Sequence, residues 1–116
     1  MMVEYLKSKL HKAAITETEL NYSGSICIDE DLMKAACILP NEKVAVVNFN
    51  NGNRFETYVI KGKAGSKTIG LRGPAALLGK KGQRVAILSY ALMTPAESKK
   101  HKPAIVVLDA KNKIVR

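Results

Sequence analysis

The sequence predicts a mainly-β domain in which six or seven short strands close, or nearly close, into a small barrel with one or two short helices. Three observations lead there. Seven short segments are rich in β-branched residues and end at turn-forming residues. Only one segment carries a clear helical period. The 116 residues are 47% hydrophobic, enough for one packed core and too apolar for a disordered chain.

The strand segments are Ala13–Thr16, Ser25–Ile28, Val44–Phe49, Arg54–Ile60, Thr68–Leu71, Val85–Tyr90 and Ala104–Leu108. Between the third and fourth, Asn50-Asn51-Gly52 predicts a tight hairpin, because Asn and Gly tolerate positive φ. The clear helix starts at Asp29, a good N-cap, carries Leu32, Ala35, Ala36 and Leu39 on one face, and stops at Pro40. Pro74 opens a second short helix and Gly79 stops it. A last helical turn covers Pro95–Lys100. No repeat or low-complexity linker divides the chain, so residues 1–116 read as a single barrel domain.

Composition narrows the function classes. No apolar run reaches the ~20 residues of a membrane helix. Met1–Leu10 mixes Glu4, Lys7 and Lys9 with apolar residues, unlike a secretory signal. The expectation is a cytoplasmic protein with no membrane association. Cys27 and Cys37 have no second pair or nearby His to complete a metal site, so they read as small hydrophobes and no metal is expected. The net charge of +9 attracts anions, from nucleic acid to small dicarboxylates, although the lysines spread from Lys7 to Lys113 without a dense tract.

Four stretches can carry chemistry. In Tyr22-Ser23-Gly24-Ser25, Ser25 opens an apolar strand directly before a capped helix. An ordinary Gly-Ser turn is the common meaning of such a pair, and Gly65-Ser66 is another. Yet Gly24 also permits a strained backbone, from which the Ser25 hydroxyl can attack the Gly24 carbonyl carbon. The amide would become an ester. β-Elimination would leave dehydroalanine, which hydrolyses to a pyruvoyl group and ammonia.

The second stretch is Asn53–Tyr58, where a strand puts Arg54, Glu56 and Tyr58 on one face and Phe55, Thr57 and Val59 on the other. Either this is an exposed polar face, or Arg54 forks a carboxylate and Tyr58 supplies a proton. Thr57 faces a different neighbour unless the strand bends. In the third, Lys9 and His11 point the same way from an extended segment: a solvated basic edge, or an anion-binding lysine beside a neutral His11. The fourth is Leu71–Ala76, where Gly73 before a helix leaves backbone N–H groups free for an anion and Pro74 removes one of them. An ordinary capping turn accounts for it equally.

Together these stretches resemble the aspartate 1-decarboxylase family, pyruvoyl enzymes that make β-alanine for pantothenate synthesis. The resemblance spans nearly the whole chain. It runs through Lys9-Leu10-His11, Leu20–Ser25, Ile28–Leu32, Ala35-Ala36, Ile38-Leu39-Pro40, Asn51–Tyr58, Gly65-Ser66, Gly73 with Ala75-Ala76, and Lys102-Pro103. It implies a double-psi β-barrel and a zymogen that cleaves itself between Gly24 and Ser25, giving chains 1–24 and 25–116. It further implies a covalent pyruvoyl cofactor made from Ser25, with neither metal nor pyridoxal phosphate, acting as an electron sink. By position, Tyr58 would donate a proton, and Thr57 would hold the Gly24 carbonyl and line the site. Lys9 and Arg54 would meet substrate carboxylates, and Gly73, Pro74 and Ala75 would contact substrate through the backbone. L-aspartate would be the substrate and a homotetramer the assembly, with a maturation helper protein possible and nucleic acid not a partner.

Two departures stand out. The family pattern has Asn where this chain has Arg72, and Ala where it has Pro74. Arg cannot accept a hydrogen bond and Pro cannot donate one. Arg72 either points outward or adds a charge for the dicarboxylate. The rival readings are a basic barrel that binds nucleic acid and an unprocessed, inactive family member. Only six residues are aromatic (four Tyr and two Phe), few for stacking bases.

Overall fold

A computed structural model describes residues 1–116. The strands are β1 (Val3–Ala14), β2 (Glu17–Glu19), β3 (Ser25–Asp29), β4 (Lys43–Asn48), β5 (Arg54–Gly62), β6 (Ile69–Arg72), β7 (Arg84–Met93) and β8 (Ala104–Val107). Two short helices, α1 (Glu30–Ala35) and α2 (Pro95–Ser98), and a 3₁₀ turn over Gly73–Leu77 complete the chain. The sheet order is β2-β6-β3-β5-β4-β7-β1-β8.

That order closes on itself, because β1 and β2 are nearly one strand. Only Ile15 and Thr16 separate them, and both stay hydrogen-bonded. Ile15 N–H donates to the Gln83 carbonyl (2.9 Å), and Thr16 N–H donates to the Ile69 carbonyl (2.8 Å). One continuous stave therefore leaves β7 and joins β6, giving a mainly-β barrel of six staves with β8 outside, parallel to β1. The inward residues Leu10, Ile15, Ile26, Ile28, Val46, Val59, Ile69, Leu71 and Ile87 are essentially fully buried. Each such side chain contributes about 1.5–3 kcal/mol on leaving water.

Every predicted strand is present, but the edges differ. The segment at Ala13–Thr16 is only the end of the long β1, whose first residues alternate too weakly to read as a strand. The strand β2 was not predicted, since all three of its residues are exposed and only its parallel pairing to β6 defines it. The helix α1 starts after Asp29 as expected and ends well before Leu39. Its stop is Cys37 at φ 57, not Pro40. Cys37 N–H donates to the Lys34 carbonyl and Ile38 N–H to the Met33 carbonyl, while Ile38 packs inward, the pairing of a Schellman closure.

The helix expected at Pro74 is a 3₁₀ turn that begins at Gly73 and ends at Leu77. Gly79 is not its stop. It has ordinary φ and is a packing glycine, because a Cβ there would lie 2.7 Å from Ile15 Cδ1 and 2.8 Å from Leu71 Cδ1. Asp29 does more than cap α1. Its carboxylate accepts from Asp31 N–H (2.8 Å), Gly65 N–H (3.0 Å) and Lys67 N–H (2.7 Å), tying the loop after β5, which holds Gly65 and Lys67, to the helix start.

Candidate active site

Ser25 is the first residue of β3 and is 3% exposed. It pairs with Arg72 of β6, and the next residue, Ile26, pairs with both Leu71 and Val59. The ladder thus fixes the Ser25 backbone while Gly24 lies just outside it, at φ +105. An L side chain at that φ would be strained, so Gly is needed there. Gly73 sits against the same peptide at φ +72. A Cβ on Gly73 would come within 2.5 Å of Gly24 Cα and Gly24 N, and 2.7 Å of the Tyr22 carbonyl oxygen. Two glycines therefore pack backbone against backbone at the Gly24–Ser25 junction.

Beside this junction is an open cleft of about 250 Å³. Ser23 and Gly24 form one wall, Phe55, Glu56 and Thr57 of β5 another, and Pro74, Ala75 and Leu78 the third. The Asn-rich hairpin holds that third wall. Side-chain amides of Asn48, Asn51 and Asn53 all donate to the Leu78 carbonyl, at 3.3, 3.2 and 3.2 Å. The hairpin expected from Asn50-Asn51-Gly52 thus also positions the 3₁₀ turn.

Comparison with known proteins bears on what this site is. The family model described as aspartate decarboxylase matches residues 1–115. The chain belongs to the aspartate decarboxylase family. Its relatives include proteins named aspartate 1-decarboxylase from Caldicellulosiruptor saccharolyticus (60% identical over 116 residues, 100% of this chain and 91% of the relative) and Pelotomaculum thermopropionicum (59% over 115 residues, 99% and 87%). Another, from Syntrophomonas wolfei, is 54% identical over 114 residues, 98% of this chain and 97% of the relative. Membership of this family makes the chain an enzyme, a carboxy-lyase.

The positions singled out by the likeness to the aspartate decarboxylase family fall into two groups. Gly24, Ser25, Thr57, Gly73, Pro74 and Ala75 come together at the junction and its cleft. Lys9, Arg54 and Tyr58 do not. On β5, Phe55 and Thr57 are half-buried and Val59 is buried, while Arg54, Glu56 and Tyr58 are exposed. The period of two therefore holds for burial, while both faces of the strand contribute to the cleft, through Thr57 on one side and Glu56 on the other. Lys9 lies on β1 between Leu88 and Ile105, on a different part of the barrel. His11 presents an edge to the Phe49 ring at 5.4 Å, and Lys12 lies 5.9 Å from the same ring. Burial, then the charges of Lys9, Lys12, Arg84 and Arg116, push its imidazole below the ordinary range, so His11 is neutral near pH 7.

Arg72 is not among the residues that line the cleft. Its guanidinium carbon sits 4.7 Å from the centroid of the Tyr22 ring, and Nη2 is 3.8 Å from Glu17 Oε1. Sequence reasoning missed Glu17 and the cleft wall Leu78, and gave Phe55 a strand face without a place in the site. No motif marks Glu17 or Leu78, and only the closure of the barrel brings them here.

Proposed function

We propose that this chain converts L-aspartate to β-alanine and CO₂, using a pyruvoyl group that it makes by cutting its own Gly24–Ser25 bond. What carries the reading is the glycine pair. Gly24 at φ +105, with Gly73 in backbone contact, presents the peptide before a fixed, buried serine in a conformation other residues refuse. The whole-chain likeness to aspartate 1-decarboxylases supports the substrate.

In the first step the Ser25 hydroxyl oxygen bonds to the Gly24 carbonyl carbon, and the hydroxyl proton passes to the Ser25 nitrogen as the C–N bond breaks. Thr57, which lines the same cleft as Gly24, would donate a hydrogen bond to the carbonyl oxygen as it gains charge. Removal of the Ser25 α-proton then expels the Gly24 carboxylate from Cβ. Water replaces the nitrogen, which leaves as ammonia. The residues fit such a group: Ser25 is buried at a strand end and the cleft opens next to it. A pyruvoyl group made there would supply an electron-withdrawing carbonyl beside the cleft, the chemistry that loss of an α-carboxylate needs.

Around it, the backbone of Gly73 to Ala75 would contact the substrate, with no N–H from Pro74. Arg54 would orient a carboxylate by a bidentate pair, Lys9 would add positive charge, and Tyr58 would deliver the proton that replaces CO₂. None of these three lines the cleft of its own chain. Their roles therefore require the homotetramer, which we take to be the working form, acting in the cytoplasm in pantothenate synthesis.

Intact mass under denaturing conditions tests the reading. Two fragments, 1–24 and 25–116, are expected, the longer lighter than a Ser-started chain by one ammonia. A single uncleaved mass after prolonged warming, together with no CO₂ release from aspartate, would refute it.

A further inference from the structure

We infer that Arg72 is a positioning residue for the self-cleavage: its guanidinium grips the Tyr22 ring and thereby holds the loop that ends at the broken peptide. The inference rests on the self-processing reading above and goes beyond it, because Arg72 is a point where this chain departs from the family pattern.

The loop Leu20–Gly24 has little else to hold it. Its hydrogen bonds are local: Tyr22 N–H donates to the Leu20 carbonyl (2.9 Å), and Asn21 N–H to Glu19 Oε1 (3.3 Å). No hydrogen bond joins these five residues to a distant part of the barrel. Two contacts do so. One is the glycine contact between Gly73 and Gly24. The other is Arg72, which lies over the Tyr22 ring at 4.7 Å.

Arg72 is well placed for this. Its backbone is in the ladder opposite both Ser25 and Glu19, on either side of the loop. Its side chain is 20% exposed and meets Glu17 from β2 at 3.8 Å. So one residue pairs through its backbone with the nucleophile and through its side chain with a residue three positions earlier. The guanidinium is planar and stacks on an aromatic face, which a lysine ammonium cannot do in the same way. Attack on the Gly24 carbonyl needs that carbonyl held over the Ser25 hydroxyl. A loop free to wander spends less time in that geometry.

The test follows the cleavage of freshly purified precursor by intact mass over time. Arg72→Lys and Tyr22→Leu should each slow it about two- to fivefold, the factor an exposed cation–π contact supplies. The double variant should be no slower than the slower single one, since both remove one contact. Tyr22→Phe keeps the ring and should cleave at the parent rate. Melting temperatures of the same substitutions in an uncleavable Ser25→Ala chain should fall by no more than about 4 °C, the scale of one such contact, which separates positioning from loss of fold. Arg72→Lys at the parent rate, or a double variant whose defects multiply, overturns the inference while the self-processing reading stands. If the parent chain does not cleave, that reading falls and this inference with it.

Discussion

The glycine pair makes the sharpest prediction, because geometry separates two penalties. Gly73→Ala forces an L side chain to φ +72 and drives its Cβ to 2.5 Å from two backbone atoms of Gly24. Gly52 has a similar φ, +76, with nothing within 4 Å of a built Cβ, so Gly52→Ala reports the backbone penalty alone. A residue other than Gly in that region costs about 1–2 kcal/mol. Stiffening the unfolded chain returns about 0.4–1 kcal/mol. The net for Gly52→Ala is therefore about 1 kcal/mol. At Gly73 the overlap adds about 1–3 kcal/mol, the usual scale of overpacking, and the upper end applies because backbone cannot swing aside. The expected total is about 4 kcal/mol. At about 4 °C per kcal/mol for a chain of this size, the melting point drops by about 16 °C for Gly73→Ala and about 4 °C for Gly52→Ala. Both are measured in a Ser25→Ala background at one protein concentration, so that covalent state and assembly match. With Ser25 restored, Gly73→Ala should lose self-cleavage and Gly52→Ala should keep it. Equal melting points for the two, or normal cleavage by Gly73→Ala, would show that the junction is not packed as described.

Three further outcomes follow from the same structure. Thr57→Val keeps the shape of the cleft wall but removes the donor proposed for the Gly24 carbonyl. Cleavage should slow by about 10²-fold, on the scale of losing one oxyanion-hole donor, with the melting point of the precursor nearly unchanged. Asp29→Ala strips the N-cap and leaves the amides of Gly65 and Lys67 without their acceptor, so urea unfolding should show a loss of about 2–4 kcal/mol. Glu42 gives the pH dependence. Burial pushes its carboxyl up, but hydrogen bonds from Lys7, Ser89 and the Leu39 N–H outweigh burial and hold it below the ordinary range. A depressed carboxylate pKa stabilises the fold above the unfolded value, and that stability drains as pH falls through the lower folded value. Glu42→Gln should flatten the acid side of a melting-temperature profile below about pH 4.3, the ordinary glutamate value; an unchanged acid limb would contradict the network.

Local signals were legible wherever a residue type has one physical job. Asp29 read as a helix cap, Asn50-Asn51-Gly52 as a hairpin and the β-branched runs as strands, and each is present. The order Tyr22-Ser23-Gly24-Ser25 with Gly73 pointed to one chemistry through family likeness. What failed was length and hand-off. Nothing local says that β1 extends from Val3 to Ala14, or that its stave passes to β6 through Glu17–Glu19. Those limits come from partners found only when the chain is folded.

By itself, then, the sequence determined the fold class and the turn chemistry, because propensity, capping and alternation act over a few neighbours. The tertiary structure alone decided which residues meet. Ring closure sets Gly73 against Gly24 and turns Thr57 toward the cleft. Arg54 and Tyr58, exposed on the same strand, do not line it. The tertiary structure also decided the fate of Arg72, which sequence left between an outward charge and a substrate contact. A side chain's direction depends on the elements packed around it, and here a strand far earlier in the chain and an exposed tyrosine hold the guanidinium beside the loop that leads into Gly24.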